Sequence, residues 1–379
     1  YIHIRTFTLY DVLLSLPGQA TTEGESMENV VAVAMSGGVD SSLTASMLLE
    51  QGYKVFGITL RLWVSDTDPD DVPLAVTDAK KMCDFLGIEH HVVDARDVFY
   101  DNVVDYFVNE YAAGRTPNPC VFCNKNIKFD LLLNRALELG ASHMVTGHYA
   151  QVRYNEATKL YELHKGADPS KDQSYVLYTL NQHILSHLMF PLGAQKKTLT
   201  RAMANDRDLP VANKPDSEDI CFLPNHNYQG FIQKQLSEPA KSGNIVHENG
   251  EILGRHNGLF NYTIGQRKGL GVAYKYPLYV VRLDGEKNEV IVGPDESLFT
   301  NRMICKHYNF LSGTIPQELH ASGKIRYAAE PSPCVARILD DETMEVIFEK
   351  PQRAITPGQS VAFYEGTQLL GGGVIETVC

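Results

Sequence analysis

The run Val30-Val31-Ala32-Val33-Ala34-Met35 has no polar interruption, ends on Ser36-Gly37-Gly38, and is followed by a helical pattern opening at Val39-Asp40-Ser41-Ser42. A strand apolar on both faces is covered on both faces, which is the situation of a parallel sheet inside an α/β domain. The chain that follows keeps to that grammar. Ser41 to Gln51 has helical spacing and stops at Gly52, and Lys54 to Leu60 reads as a second strand. A helix over Thr77 to Leu86 stops at Gly87, and His90 to Val93 is a third strand. Helices over Val98 to Tyr111 and Asn126 to Leu139 follow, then a fourth strand from Ser142 to Thr146 that runs into Gly147-His148. Alternation of this kind predicts a parallel sheet with helices on both faces.

After about Pro224 the pattern changes to short alternating segments between glycine-rich turns. Strands are expected at 244–247, 278–283, 289–292, 324–327, 334–339, 343–348 and 360–364, with hairpin signals at Glu248-Asn249-Gly250 and Asp284-Gly285. At 379 residues the chain has room for roughly two to three domains. The expected divisions are an extension over 1–26 outside the fold, an α/β domain over 27–225, a small β-rich unit over 226–303 and a second over 304–379. The only apolar run in 1–26, around Leu9 to Leu16, is broken by Asp11, which argues against a secretory signal. No apolar run approaches the ~20 residues of a membrane span, so no membrane role is expected. A formal net charge of -12 excludes binding to nucleic acid by bulk charge, though not by a local basic groove. The seven cysteines are odd in number and irregularly spaced, which fits a reducing, cytoplasmic setting, an organelle remaining open.

Three segments carry chemistry. Ser36-Gly37-Gly38-Val39-Asp40-Ser41-Ser42 lies between a strand and a helix, where glycines let backbone approach a phosphate and helix N–H groups meet the anion. It lacks the Gly-Lys-Ser/Thr ending of a Walker loop and is not GxGxxG. Gly114-Arg115-Thr116-Pro117-Asn118-Pro119-Cys120-Val121-Phe122-Cys123-Asn124 is a rigid proline-braced loop, with Cys123 expected near a helix N-terminus beside Arg115, Lys125 and Lys128, all favouring a thiolate. Lys214-Pro215-Asp216-Ser217-Glu218-Asp219-Ile220-Cys221-Phe222 is polar and ends in another cysteine. A cysteine between Ile and Phe reads equally well as a small core residue.

The loop at Ser36 resembles the pyrophosphate loop of ATP-adenylating enzymes. Adding Thr146-Gly147-His148-Tyr149-Ala150, Lys171-Asp172-Gln173-Ser174-Tyr175, Gly265-Gln266-Arg267-Lys268-Gly269-Leu270, Thr356-Pro357-Gly358-Gln359 and Gly371-Gly372-Gly373, in this order, the chain from Met27 onward closely resembles the tRNA-specific 2-thiouridylases (MnmA/TrmU type). That resemblance implies a PP-loop ATP pyrophosphatase domain, a central β-rich tRNA-contacting domain and a C-terminal β-barrel. It implies an enzyme that adenylates O2 of the wobble uridine, U34, of Lys-, Glu- or Gln-type tRNA, using ATP and Mg²⁺. Sulfur from a persulfide or sulfide donor system, a cysteine desulfurase or relay protein, then replaces the oxygen. Carried over residue by residue, ATP lies on Ala34, Met35, Ser36, Gly37, Gly38, Val39, Asp40 and Ser41 with Leu60 and Gly147. The target base meets Asn118, Pro119 and Cys120. Cys123 is the nucleophile and Cys221 the persulfide carrier, while Lys171, Asp172, Gln173, Arg326 and Tyr327 contact tRNA.

One position departs from the family pattern. Many members have aspartate where this chain has Cys120, so the acid, base or orienting role of that aspartate is in doubt here. Cys120, Cys123 and Cys221 together are three candidate ligands for a [4Fe-4S] cluster with one open iron; a cluster-free persulfide route is the alternative. No second CxxC or HxxxH completes a zinc site. A basic stretch of Arg255, Arg267, Lys268 and Lys275, with Phe260, Tyr262 and Tyr274 as stacking candidates, is open to an RNA role or to a plain solvated face. The rival readings are an adenylating enzyme with another acceptor, and a non-catalytic tRNA- or cluster-binding protein. Neither needs the cysteines and the intact loop together.

Overall fold

In the computed structural model the described residues are 29–64, 72–216, 220–223, 227–236 and 239–379, so the extension expected over 1–26 lies outside them. The apolar run forms β1 (Val30–Ala34), the centre of a parallel sheet. β2 (Lys54–Arg61) and β3 (His90–Asp94) lie on one side of it. β4 (His143–Val145) lies on the other. A hairpin of β5 (Ala150–Asn155) and β6 (Leu160–Lys165) then leaves the sheet before β7 (Leu188–Met189) completes it, in the order β3-β2-β1-β4-β7.

Alternation along β1 sorts the two faces, as the period of two requires. Val31 and Val33 point into a core with α1 (Val39–Glu50) and α2 (Leu74–Leu86), joined by Met203 and Ala204 from a later helix. Ala32 points the other way, onto Phe129, Leu132, Leu133 and Ala136. α3 spans 96–112 and α4 spans 119–138, each with a π-helical stretch inside it, Tyr100–Val104 and Asn124–Leu132. α4 starts seven residues before the position its spacing suggests. Pro119 reads as a breaker, but at the first helical position its missing N–H costs nothing and its φ is already helical. α5 (Lys197–Asp206) and α6 (Tyr228–Gln235) complete the helices used below.

The rest is β, as expected. β8 (Gly243–His247), β9 (Ile252–His256), β10 (Tyr279–Asp284) and β11 (Glu289–Gly293) form a four-stranded sheet. β12 (Phe299–Phe310), β13 (Glu318–Lys324), β14 (Ser332–Ile338), β15 (Thr343–Arg353), β16 (Ser360–Glu365) and β17 (Gln368–Val378) follow. Pairing of β12 with both β15 and β17 closes these into a six-stranded barrel. The strand expected over 324–327 is a correction: β13 ends at Lys324, and Arg326 and Tyr327 stand on the turn after it. The β5–β6 hairpin adds to the barrel sheet through β17, with Gln368 opposite His164 and Leu369 opposite Leu163. One hydrophobic core therefore runs from Ala32 and Phe129 to Ala362, Tyr364 and Leu369.

Candidate active site

The chain turns from β1 to β2 on one side and later to β4 on the other, which opens a crevice beyond the strand ends. The Ser36–Ser41 loop lies there. Gly37 has a left-handed φ of 67°, and Ser36 N and Oγ each lie 3.2 Å from Ser41 Oγ. Gly147, at the end of β4, comes so close that a Cβ there would sit 2.8 Å from Asp40 Cβ and 3.1 Å from Ser41 N. Leu60 is half-buried at the end of β2.

Cations converge on this loop. Lys197, buried at the start of α5, places Nζ 2.7 Å from both Asp40 carboxylate oxygens and 3.0 Å from Asp216 Oδ1. Tyr149 donates to Asp40 Oδ1 at 2.9 Å. Lys171 and Arg201 reach Asp216 at 2.9 and 2.6 Å, and Lys214 donates to Gly37 O at 3.0 Å and Asp78 Oδ2 at 2.7 Å. Partial burial opposes ionisation of Asp216, but the bonds from Lys171 and Lys197 outweigh it and hold its carboxyl at about 2. Lysines and an arginine gathered at a helix N-terminus are the donor set that a polyphosphate requires.

The three thiols lie near enough to influence one another. Asn118 is the N-cap of α4, so Cys120 is the second helical residue and Cys123 the fifth. Cys120 and Cys221 open to solvent though set deep among protein atoms, and Cys123 is buried. The expected favouring of a thiolate at Cys123 is corrected: burial pushes the Cys120 and Cys123 thiols up, with Lys128 alone pulling the other way at Cys120. Cys221 is pushed up to about 12 by burial and then by Cys123, again opposed by Lys128. A fifth-position thiol is past the reach of the helix dipole, which fades within the first turn. The core-residue reading of Cys221 does not hold. Its neighbour Phe222 is the buried anchor, ringed by Phe99, Phe107, Phe231 and Trp63, while Cys221 keeps an opening to solvent. His148, one residue beyond Gly147, packs between Phe129 and Phe190 and bonds Thr146 Oγ1 at 2.7 Å. Burial first, and Lys128 second, hold its imidazole neutral with a pKa of about 3.

Of the remaining expected contacts, Asp172 is buried and accepts bonds from Gly166 N, Ser174 N and Ser174 Oγ. Gln173 Oε1 accepts from Tyr149 N at 2.9 Å, and Arg326 donates to the carbonyls of Arg353 and Ala354. Tyr327 is half-exposed, 6.4 Å from the Tyr175 ring, with Lys324 near both rings. The segments at 171–175 and 324–327 thus meet. In the central unit Phe260 and Tyr262 are core, whereas Tyr274 lines an open groove of about 530 Å³ with Arg267, Lys275 and Tyr276.

Three family models tile this chain: tRNA methyl transferase HUP domain over 29–225, tRNA methyl transferase PRC-barrel domain over 229–294 and aminomethyltransferase beta-barrel domain over 300–375. The tRNA-specific 2-thiouridylase MnmA 2 of Thermoanaerobacter sp. (strain X514) is 48% identical over 358 residues, 92% of this chain and 98% of that protein. MnmA 1 of Caldanaerobacter subterraneus subsp. tengcongensis is 49% identical over 358 residues, covering 92% and 98%. MnmA of Acetivibrio thermocellus is 43% identical over 355 residues, covering 91% and 99%. The chain belongs to the tRNA-specific 2-thiouridylase family. Among solved structures, the U34-tRNA thiolase NcsA from Methanococcus maripaludis with its [4Fe-4S] cluster aligns at a TM-score of 0.36 and 18% identity. It covers 59% of this chain and 68% of that one, too distant a likeness to inform individual residues.

In this thiouridylase, Lys197, Arg201 and Asp78 gather around the loop yet stand in none of the motifs quoted from the sequence, whereas Tyr149 and Lys128 stand in or beside them. Lys214 and Asp216 lie inside a quoted motif, but Lys197 is one of two lysines in Gln195-Lys196-Lys197, and only its burial marks it. No group of three His, Cys, Asp or Glu among the described residues is gathered to hold a metal ion. Cys120, Cys123 and Cys221, as placed, are not a ready cluster ligand set.

Proposed function

We propose that the protein is an ATP-dependent tRNA-uridine 2-sulfurtransferase that activates O2 of the wobble uridine as an AMP ester and replaces it with sulfur. One observation carries this reading: Gly147 packs on the phosphate loop while the adjacent His148 shares the field of Lys128 with all three thiols. On this reading adenylation lies on the Gly147 side and sulfur chemistry on the Lys128 side of two consecutive residues, Gly147 and His148.

ATP phosphates lie against Ser36–Ser41, with Lys197, Lys214, Arg201 and Lys171 taking up the charge that grows as pyrophosphate departs. Both Asp40 oxygens are engaged by Lys197; on exchange of that lysine to the phosphates, Asp40 would supply a carboxylate for Mg²⁺, which would neutralise phosphate oxygens when bound. The flipped-out base, flanked by Asn118, Pro119 and Cys120, presents O2 to the α-phosphorus. Oxygen alone is a poor leaving group; as AMP it leaves with the phosphate charge already balanced.

Sulfur arrives as a persulfide on Cys221, supplied by a desulfurase or relay protein. Its outer sulfur attacks C2, AMP departs, and Cys123 attacks the Cys221 sulfur, releasing the thiocarbonyl and leaving a Cys123–Cys221 disulfide. The alternative order has Cys123 free hydrosulfide first, with the same disulfide left over. Either way two external thiols, or one dithiol, supply two electrons, leave as a disulfide and reset the enzyme. No step runs through an iron–sulfur cluster. The tRNAs are those with U34, of the Lys, Glu and Gln type, met by Lys171 to Gln173 and Arg326-Tyr327. Seven free cysteines fit a reducing cytoplasm; among the described residues no helix is long and apolar enough to cross a membrane.

The adenylation half is tested with ATP labelled at the α-phosphate and no sulfur source. Label should pass to unmodified tRNA with U34 and not to tRNA with cytidine there. Labelling of both alike would remove U34 as the acceptor.

A further inference from the structure

The loop that leads into Asn118 and the first turn of α4 is held from outside the α/β domain. Arg115 donates from Nε to Glu110 Oε2 at 2.8 Å, and its Nη2 lies 2.9 Å from Glu376 Oε2 on the last barrel strand. The same guanidinium donates to Glu376 O and Ile375 O, both at 3.2 Å. Glu376 is steadied in turn by Lys306 of β12 at 3.3 Å. Beside it, Thr116 N donates to Pro357 O at 2.9 Å, and Gln359 Nε2 donates to Thr116 O at 2.9 Å and Pro117 O at 3.3 Å.

An exposed arginine with one carboxylate partner fixes little. Arg115 is only about one-fifth exposed and spans two carboxylates and two carbonyls. That pattern needs a planar fork; the single ammonium of lysine cannot reproduce it. We infer that Arg115 is a positioning residue for sulfur transfer. It fastens the barrel to the target-base loop, so that Cys120 and Cys123 meet the base at a set distance. The inference rests on the sulfurtransferase reading and adds a role for the barrel inside the reaction.

Full-length Arg115→Met, Arg115→Lys and Glu376→Gln are compared with wild type for thiolation kcat, KM for tRNA and melting temperature. The rate of iodoacetamide alkylation at Cys123 is followed by peptide mass spectrometry. A loop displaced by about 1 Å should lower kcat in Arg115→Met by roughly 100-fold, with KM within about twofold. Arg115→Lys should not restore it, and alkylation of Cys123 should be faster in both. Unchanged kcat in Arg115→Met overturns the inference. So does a raised KM at unchanged kcat, which would make Arg115 a tRNA contact, or full rescue by lysine. If the arginine variants do not fold, Glu376→Gln decides alone: lowered kcat and faster alkylation support the clamp, and wild-type values for both overturn it. A wild-type protein that fails to thiolate tRNA overturns the functional reading, whereas the alkylation rates still report on the clamp.

Discussion

Cys123 lies one turn inside α4 among apolar neighbours, and that placement sets how its sulfur must be activated. A thiol raised by burial is protonated at neutral pH, and only the thiolate attacks. With Cys221 raised to about 12 and Cys123 raised above its ordinary value, alkylation of both in the free enzyme should climb by about tenfold per pH unit from pH 7 upward, with no plateau below pH 9. A plateau near pH 7 would show thiols already ionised. Lys128→Met removes the one cation that opposes burial at all three sulfurs, so alkylation should slow at every pH below the plateau. Cys123→Ser and Cys221→Ser should each abolish thiolation and leave AMP transfer to tRNA intact. The remaining cysteines differ: Cys83, Cys305 and Cys334 are buried, Cys379 is exposed, and each should be replaceable by alanine or serine without loss of sulfur transfer. The loop and the cysteines were legible in sequence because their chemistry is local, a run of types within a few residues. Lys197 and Arg201 were not, because their meaning comes from Asp40 and Asp216, distant in the chain.

At the scale of elements, the end of β4 is a tight joint in the site. Gly147→Ala would drive a methyl group into Asp40 and Ser41 N, so it should weaken ATP-dependent adenylation by about 100-fold while the fold survives. Lys197→Met removes a buried donor from the departing pyrophosphate and should lower the AMP-transfer rate by about 100–1,000-fold, measured at saturating ATP. β1 and β2 were readable as apolar runs bounded by turn residues, and β3 and β4 from the short apolar pairs Val92-Val93 and Met144-Val145 between such residues. β12 was missed because its twelve residues mix polar and apolar types while pairing on two sides with shifts in register. β17 was missed because Gly371-Gly372-Gly373 reads as a turn; there it lets Asn309, Val361 and the Tyr178 ring come close.

Across the whole molecule, the β5–β6 hairpin and the tyrosines after it bind the α/β unit to the barrel. Tyr175 donates to Ser360 O at 2.8 Å, Tyr178 pairs with Ser360 Oγ at 3.1 Å, and Ser174 pairs with Tyr364. A chain ending at residue 299 would leave these fully buried groups without partners, at about 1–3 kcal/mol each, and would bare the β6 edge. It should fail to fold by circular dichroism; a cooperative melt close to that of the full chain would show independent units. Sequence order alone could not reveal this join, since β6 and β17 are some two hundred residues apart.

The central claim is sulfur replacing oxygen at C2 of U34, and its most direct test is the nucleoside itself. The purified protein is incubated with ATP, Mg²⁺, a persulfide source and unmodified tRNA of the Lys, Glu or Gln type. The tRNA is then digested and read by mass spectrometry. The account predicts 2-thiouridine at position 34, formed one for one with AMP and pyrophosphate, and absent when either ATP or sulfur is withheld. ATP consumption with U34 left unsubstituted, or with a group other than sulfur attached, would contradict it.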